Sequence, residues 1–464
     1  MTPADDATFF GGLRTSEFAR LDAQDCAYLD YTGSALHAAS QSRAYAALLA
    51  DGLFGNPHSA HGPSLASSAC IASARRRLLA WFGVGEDSHV VCFVANASAA
   101  IRLVAEAYAF SPTRGLALSA DNHNSVNGIR AYARRAAAPV DLLPLDAALR
   151  LEEPQARLCE LPGHGGLLAF PAQSNFSGVR HPLGLVAQAQ SLGWDVLLDA
   201  AAYVPTQRLD LRRCSAQFVA LSFYKMFGLP TGLGALIARR DALSALRRPW
   251  FAGGTVEYAS VQLERHLLRD GAEGFEDGTA DFLGIAALDA GFDVLERIGA
   301  DRLSRRVDAL ASDFVAALRG LSHANGAPQV RLHGPSARSD CGATIAFNLL
   351  DRDGRVMPHI DVETRARGAG VALRGGCFCN PGASEAAFGF PAARSGDCLD
   401  RLGTHFSVDG FSRCLGGAVA VGALRASMGA ATVDRDLERA VELLAACADH
   451  PLPAITRTTS IAAA

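Results

Sequence analysis

The sequence predicts an α/β fold in which a mostly parallel sheet lies between helices, with a smaller α+β domain towards the C-terminus. Three observations lead there. First, short apolar runs followed by helix-like stretches recur: VVCFV then SAAIRLVAEAYAF, LLAF then a polar loop, and DVLLD followed at some distance by FVALSF. Continuous apolar runs mark strands buried on both faces, and their alternation with helical stretches marks an α/β layer. Second, from about residue 285 the pattern changes to long amphipathic stretches, GIAALDAGFDVLERIG and ADRLSRRVDALASDFVAALRG. Third, 464 residues exceed one small core. The chain divides into an N-terminal segment 1–25, a large domain 26–285 and a small C-terminal domain 286–464.

Composition narrows the function. A net charge of −4 with no basic stripe argues against nucleic acid and anionic membranes and for small-molecule substrates. MTPADDATFF lacks a basic region followed by an apolar stretch, and no apolar run reaches the 18 or so residues of a membrane span, which places the protein in the cytoplasm. Eleven cysteines, scattered through a long chain, read as reduced thiols. Cys92 and Cys447 sit in apolar runs as small core residues, whereas Cys377 and Cys379 stand apart. The stretch 385–415, rich in Gly, Ser, Asp and Arg, reads as a long loop, and the tail PAITRTTSIAAA as frayed.

Lys225 is the only lysine beside 42 arginines. Arginine replaces lysine as a surface cation but stays protonated and cannot serve as an amine nucleophile, so a retained lysine suggests amine chemistry. In ALSFYKMFGLPTGLGAL it follows a strand-like run and precedes a glycine-rich turn, a setting that presents an amine rigidly at a cleft. Such a lysine can hold pyridoxal phosphate as an imine. Asp199, 26 residues earlier at the end of VLLD, is placed to keep the ring nitrogen of that cofactor protonated. On its own it would read as a helix cap; the spacing to Lys225 favours the cofactor role. Upstream, VVCFVANASAAIRLVAEAYAF reads as strand, tight turn and helix. Its turn, Asn96, Ala97 and Ser98, offers backbone N–H groups and a hydroxyl to a phosphate. Ser222 and Tyr224 stand where they can reach the same phosphate.

The segments FVANASAAIRLVAEA, DNHNSVNGIRAYA, AFPAQSNFSGVRHPL, VLLDAAAYVPTQRLDL, SFYKMFGLPTGLGAL, FAGGTVEY, FEDGTADFLGI and RGGCFCNPGAS, in this order, resemble the class V aminotransferase family. Within it they look most like the cysteine desulfurase domain of molybdenum cofactor sulfurases. The resemblance implies the fold of type I pyridoxal-phosphate enzymes and a homodimer. It implies that His123 stacks on the pyridine ring, that Asn175 donates to the ring hydroxyl oxygen and that Asp199 pairs with the ring nitrogen. Ser98, Ser222 and Tyr224 would bind phosphate, with Thr255 reaching it from the partner subunit, and Arg425 in GALRASMG would grip the substrate carboxylate with its two-pronged donor set.

The same resemblance makes Cys379 of RGGCFCNPG the acceptor of sulfur from L-cysteine, with Cys377 as a neighbour able to relay or protect the persulfide. Gly375, Gly376, Pro381 and Gly382 read as a loop around it. A zinc site would want a second pair of Cys or His at ligand spacing, and none is evident, so no metal is expected. The expected partners are an amino-acid substrate and a sulfur-acceptor protein or cofactor. Ser384 stands where the family often continues NPGAC, and Ala202 where many cysteine desulfurases place glutamine or histidine. The eukaryotic molybdenum cofactor sulfurases carry a further C-terminal domain, so that cofactor is not assigned as the final acceptor. Alternative activities on the same cofactor are a carbon–sulfur or selenocysteine lyase, or conversion of a modified amino acid in a biosynthetic pathway; a non-catalytic scaffold would have dispensed with Lys225 or Asp199.

Overall fold

The apolar runs become strands. In the computed structural model, which describes residues 3–161, 165–416 and 420–449, VVCFV lies in β2 (His89–Val94) and is followed by β3 (Leu116–Ser119), β4 (Val140–Leu143), β5 (Leu167–Pro171), β6 (Asp195–Asp199), β7 (Phe218–Ser222) and β8 (Gly234–Arg239). These seven form one sheet in the order β2-β8-β7-β6-β5-β3-β4. β7, β6, β5, β3 and β4 run parallel, and β8 is antiparallel to both of its neighbours. Helices cover both faces, so Leu167, Leu168, Ala169 and Phe170 are all buried, and separate apolar clusters fill the space on either side. In such a sheet the crevice at the carboxyl ends of the strands is where ligands bind. Asp199 and Ser222 are the last residues of β6 and β7.

Ahead of the large sheet, β1 (Ala27–Tyr28) pairs with β13 (Val371–Ala372) of the C-terminal part, so the N-terminal strand is tied to the far end of the chain. β9 (Val256–Ser260) and β10 (Arg265–Leu268) form a separate antiparallel hairpin. The amphipathic stretches form helices Leu288–Ile298 and Ala300–Gly320, the second burying Leu303, Val307, Leu310, Phe314 and Leu318 at helical spacing. They lead into a four-stranded antiparallel sheet, in the order β11-β12-β15-β14, of β11 (Val330–His333), β12 (Thr344–Leu349), β14 (Arg374–Gly376) and β15 (Ala423–Ser427). Among the described residues no helix is long and apolar enough to cross a membrane. The tail PAITRTTSIAAA lies outside the described residues.

Two expectations fail together in the segment 385–415. Instead of a long loop it holds the end of helix Pro381–Phe388 and helices Ala392–Leu402 and Val408–Leu415. Cys398 and Leu402 are four residues apart, as are Phe411 and Leu415, so each helix turns one face inward onto a small cluster shared with Phe390. The polar residues that suggest a loop, such as Arg394, Asp397, Asp400 and Arg401, cover the outer face. Reduced thiols are not found throughout either: Cys398 and Cys414 join these two helices in a disulfide, and the other nine cysteines are free. Likewise the expected loop around Cys379 is a tight turn, with Gly375 and Gly376 in β14 and with Pro381 and Gly382 in the first turn of the next helix.

Candidate active site

A cavity of about 360 Å³ opens at the carboxyl ends of the large sheet, lined by Asn96, Ala97, Ser98, His123, Asn175, Asp199, Ser222, Tyr224 and Lys225. Residues spread over about 130 positions therefore converge because each sits at or just after the end of a strand. Gly234 lets this happen at the first turn, since a Cβ there would lie 2.7 Å from the backbone of Asn96 and from the carbonyl oxygen of Leu221.

At the phosphate end, the turn leads into helix Ala97–Ala107, capped by the Asn96 side chain, which accepts from Ala99 N–H at 3.0 Å. Ser222 Oγ accepts from Ala97 N–H at 3.0 Å, tying β7 to this turn. Ser98 is exposed at the cavity, with its Oγ 2.5 Å from Ser125 Oγ. Ser125 in turn fixes His123: its N–H donates to Nδ1 at 3.1 Å, so the neutral ring carries its proton on Nε2. Burial holds the His123 imidazole below its ordinary basicity, against the opposing pull of Asp199.

At the other end, Asp199 is nearly buried and its Oδ1 accepts from Ala201 N–H at 3.0 Å, which leaves Oδ2 without a protein partner among the described residues. The donor set fits pyridoxal phosphate: an amine for its aldehyde, a carboxylate with one unengaged oxygen for its ring nitrogen, and a capped helix start flanked by hydroxyls for its phosphate. Gln173, two residues before Asn175, also lines the cavity and donates to Ala202 carbonyl oxygen at 2.9 Å.

Lys225 is half-buried in the short helix Phe223–Phe227. Desolvation lowers the basicity of its amine, Asp199 and Cys379 raise it, and Arg425 and Arg374 lower it further; burial prevails. Because no other lysine competes, the protein without cofactor is expected to be labelled by an amine-reactive reagent at Lys225 and the N-terminal amine. Its Lys225 labelling should reach half its maximum below the ordinary lysine value of 10.5. Peptide mass mapping across a pH series checks this, and a midpoint at or above that value contradicts it.

Arg425, in β15, is not in the cavity wall but bonds to Asn175, which is. Nearly fully buried, it donates to Asp30 Oδ1 and to Asn175 carbonyl oxygen, both at 2.9 Å, and stacks its guanidinium 4.7 Å from the Phe378 ring centre. Arg374 faces it directly across the β14–β15 ladder. Two like charges in that position repel, and Asp30 resolves the conflict by accepting from both, at 2.6 Å from Arg374 Nη2. Asp30, in YLDYTG, gives no sign of this role in the sequence.

Cys377 and Cys379 are both exposed on the turn between β14 and the helix Pro381–Phe388. Cys379 does not line the cavity, but its turn is fastened to the cavity's wall, its carbonyl oxygen accepting from Asn124 N–H beside His123 at 2.7 Å. Phe378 and Cys379 both adopt left-handed backbone, φ 56° and 55°. For residues with a Cβ this costs roughly 1–2 kcal/mol each, so neighbours must hold the turn in place. Thr255 is not in this chain's cavity. It is buried beside the β9–β10 hairpin, where its Oγ1 accepts from Ala252 N–H at 3.0 Å.

The solved structures most like this one include an apo cysteine desulfurase from Thermococcus onnurineus NA1 (TM-score 0.77, 21% identity, 94% of this chain and 98% of that one). Another is the cysteine desulfurase CsdA from Escherichia coli (TM-score 0.73, 22% identity, covering 94% and 97%). At this identity they show the fold, that of the type I pyridoxal-phosphate enzymes. Among curated proteins the chain is 36% identical over 451 residues to molybdenum cofactor sulfurase 2 of Culex quinquefasciatus, covering 93% of this chain and 57% of that protein. It is 38% identical over 402 residues to human molybdenum cofactor sulfurase, covering 80% and 44%. The chain thus spans about half the length of the curated relatives it matches. The family model for aminotransferase class V matches residues 27–439, nearly the whole chain, and with the shared architecture and the cavity at its strand ends this shows that the protein belongs to the class V aminotransferase family.

Proposed function

We propose that the protein is a pyridoxal-phosphate-dependent cysteine desulfurase of the molybdenum cofactor sulfurase type, which converts L-cysteine to alanine and leaves a persulfide on Cys379. One observation carries this reading: the only lysine shares a cavity with Asp199, and the turn that exposes Cys379 is bonded to that cavity's wall, Phe378 oxygen accepting from Asn175 Nδ2 and Cys379 oxygen from Asn124 N–H beside His123, both at 2.7 Å. When bound, the cofactor supplies an aldehyde that links to the substrate amine and a protonated ring that accepts electrons from the α-carbon.

The chain's own residues do the rest. Asp199 holds the proton on the ring nitrogen, Ser98, Ser222 and Tyr224 with the Ala97 turn hold the phosphate, and His123 and Asn175 fix the ring. Arg425 orients the substrate carboxylate, held in its own place by Asp30. The Lys225 amine takes the α-proton and later returns a proton to carbon. The Cys379 thiolate attacks the substrate sulfur: an S–S bond forms, the C–S bond breaks, and the sulfur moves to the enzyme. A sulfur-acceptor protein or cofactor then removes it.

We further propose a homodimer in the cytoplasm. The β9–β10 hairpin exposes Tyr258, Val261, Leu263 and Leu267 together beside Thr255, an apolar surface suited to a second copy. The exposed thiols of Cys377 and Cys379 suit a reducing compartment, where the Cys398–Cys414 pair would stand as two thiols.

Incubation of the purified protein with L-cysteine tests the main reading. Equal amounts of alanine and of sulfur carried as persulfide, located by mass on the peptide holding Cys379, are expected in the first turnover. Pyruvate without protein-bound sulfur would instead identify a carbon–sulfur lyase.

A further inference from the structure

The turn that carries Cys379 is held from below by a buried carboxylate that plays no part in the chemistry just described. Each carbonyl of Cys377-Phe378-Cys379 is captured. Cys377 oxygen accepts from Asn380 N–H at 3.0 Å, Phe378 oxygen from Asn175 Nδ2 at 2.7 Å, and Cys379 oxygen from Asn124 N–H at 2.7 Å. The two asparagines that supply the first two of these bonds are themselves joined, Asn380 Nδ2 donating to Asn175 Oδ1 at 3.0 Å. The same Nδ2 donates to Asp121 Oδ1 at 2.6 Å, although the residues lie 259 positions apart.

The amide of Asn380 has only one way to sit. Its Oδ1 caps the helix Pro381–Phe388 by accepting from Ala383 N–H at 3.1 Å, so its Nδ2 must face Asp121 and Asn175. Asp121 and Asn380 are both fully buried. The Asp121 carboxylate is surrounded by donors, Ser174 Oγ at 2.8 Å and His181 Nε2 at 2.9 Å besides Asn380, which keeps it rigid. The helix start is pressed against the same segment: a Cβ on Gly382 would lie 2.1 Å from Ala120 carbonyl oxygen. Asp121 is also two residues from His123, so one short connection after β3 bears both a cavity wall and the support of the cysteine turn.

We propose that Asp121 is a positioning residue for Cys379: through the amide of Asn380 it holds the left-handed turn that aims the thiol at the cavity. The inference rests on the reading of Cys379 as the sulfur acceptor. It goes beyond that reading in assigning what sets the thiol's place.

Asn380→Asp tests it with little change of shape. An aspartate keeps the cap on Ala383 but sets a second carboxylate against Asp121 and removes the donor to Asn175 Oδ1. The variant is expected to keep its bound cofactor, and its KM for L-cysteine should change less than its kcat, because the Asn175 side chain keeps its own bond to Phe378 oxygen. Its kcat for persulfide formation should fall roughly 10- to 100-fold, the scale of a displacement of about 1 Å, and the rate of alkylation of Cys379 by iodoacetamide, followed by peptide mass, should change at least about threefold. Adding Asp121→Asn restores a donor facing an acceptor between positions 121 and 380, though not the bond to Asn175, and should recover part of both losses. Unchanged kcat and alkylation in Asn380→Asp, or a double variant no better than the single one, would overturn the proposal. If Asn380→Asp does not fold by circular dichroism, Asp121→Asn alone must show the alkylation change, and its absence overturns the proposal equally. If the wild type forms no persulfide, the desulfurase reading falls, while the alkylation rates still decide whether Asp121 positions the turn.

Discussion

Lys225→Ala is expected to reduce turnover of L-cysteine by at least about 10²–10⁴-fold, the range lost with a positioned proton-transfer group, and to abolish the covalent attachment of the cofactor. The expectation follows from number as much as from position: with one lysine in the chain, no neighbouring amine can substitute. Cofactor content should fall less than activity, because Asp199, the Ala97 turn and the hydroxyls around it still line the cavity. Lys225→Arg separates charge from chemistry. The guanidinium preserves the positive charge beside Asp199 but neither forms the covalent link nor gives up a proton near neutrality, so this variant should be as inactive as Lys225→Ala. Borohydride reduction followed by peptide mass should find the cofactor on Lys225 in the wild type and on no residue in either variant. Turnover within tenfold of wild type in either would remove Lys225 from the mechanism.

The parts of this site that the sequence reveals are those where local pattern and chemistry coincide. Asp199, Ser222 and the Asn96–Ser98 turn each end a continuous apolar run, and in a parallel sheet covered on both faces the polar residue at the end of such a run is at the ligand edge. Lys225 is visible through composition. What stays hidden is held together over long separations. Asp30 meets Arg425 across 395 positions, and Asp121 meets Asn380 across 259, with no spacing rule to link them. Asn380 itself is half-legible: Asn followed by Pro is a helix start, with Asn as cap and Pro in the first turn, yet the glycines around Cys379 favour the reading as a loop. The segment 385–415 misleads for the opposite reason. Its abundant Gly, Ser, Asp and Arg cover the outside of two short helices, while a handful of apolar residues at i, i+4 spacing supply the inner face.

Cys379→Ser is expected to abolish persulfide formation and to lower alanine production to the background of the cofactor site, while leaving that site intact. The serine hydroxyl keeps the size of the side chain on a turn whose backbone is already left-handed, so the bonds from Asn124 and Asn175 to that turn should survive. What is lost is the nucleophile, since a hydroxyl neither ionises near neutrality nor attacks sulfur as a thiolate does. The turn meets the cavity wall through backbone carbonyls, at Asn175 and beside His123, which the serine leaves in place, so L-cysteine should still bind and change the visible absorption of the cofactor. A binding change without turnover is therefore the signature to measure, by stopped-flow absorption with alanine quantified in parallel. Cys377→Ser provides the control. Cys377 is equally exposed and two residues away, but its carbonyl, not its thiol, is engaged in holding the turn, so persulfide on Cys379 should form at close to the wild-type rate. Should Cys377→Ser lose the persulfide and Cys379→Ser keep it, the roles of the two thiols are reversed. Should both variants turn over L-cysteine to pyruvate unimpaired, no thiol takes part and the enzyme is a lyase.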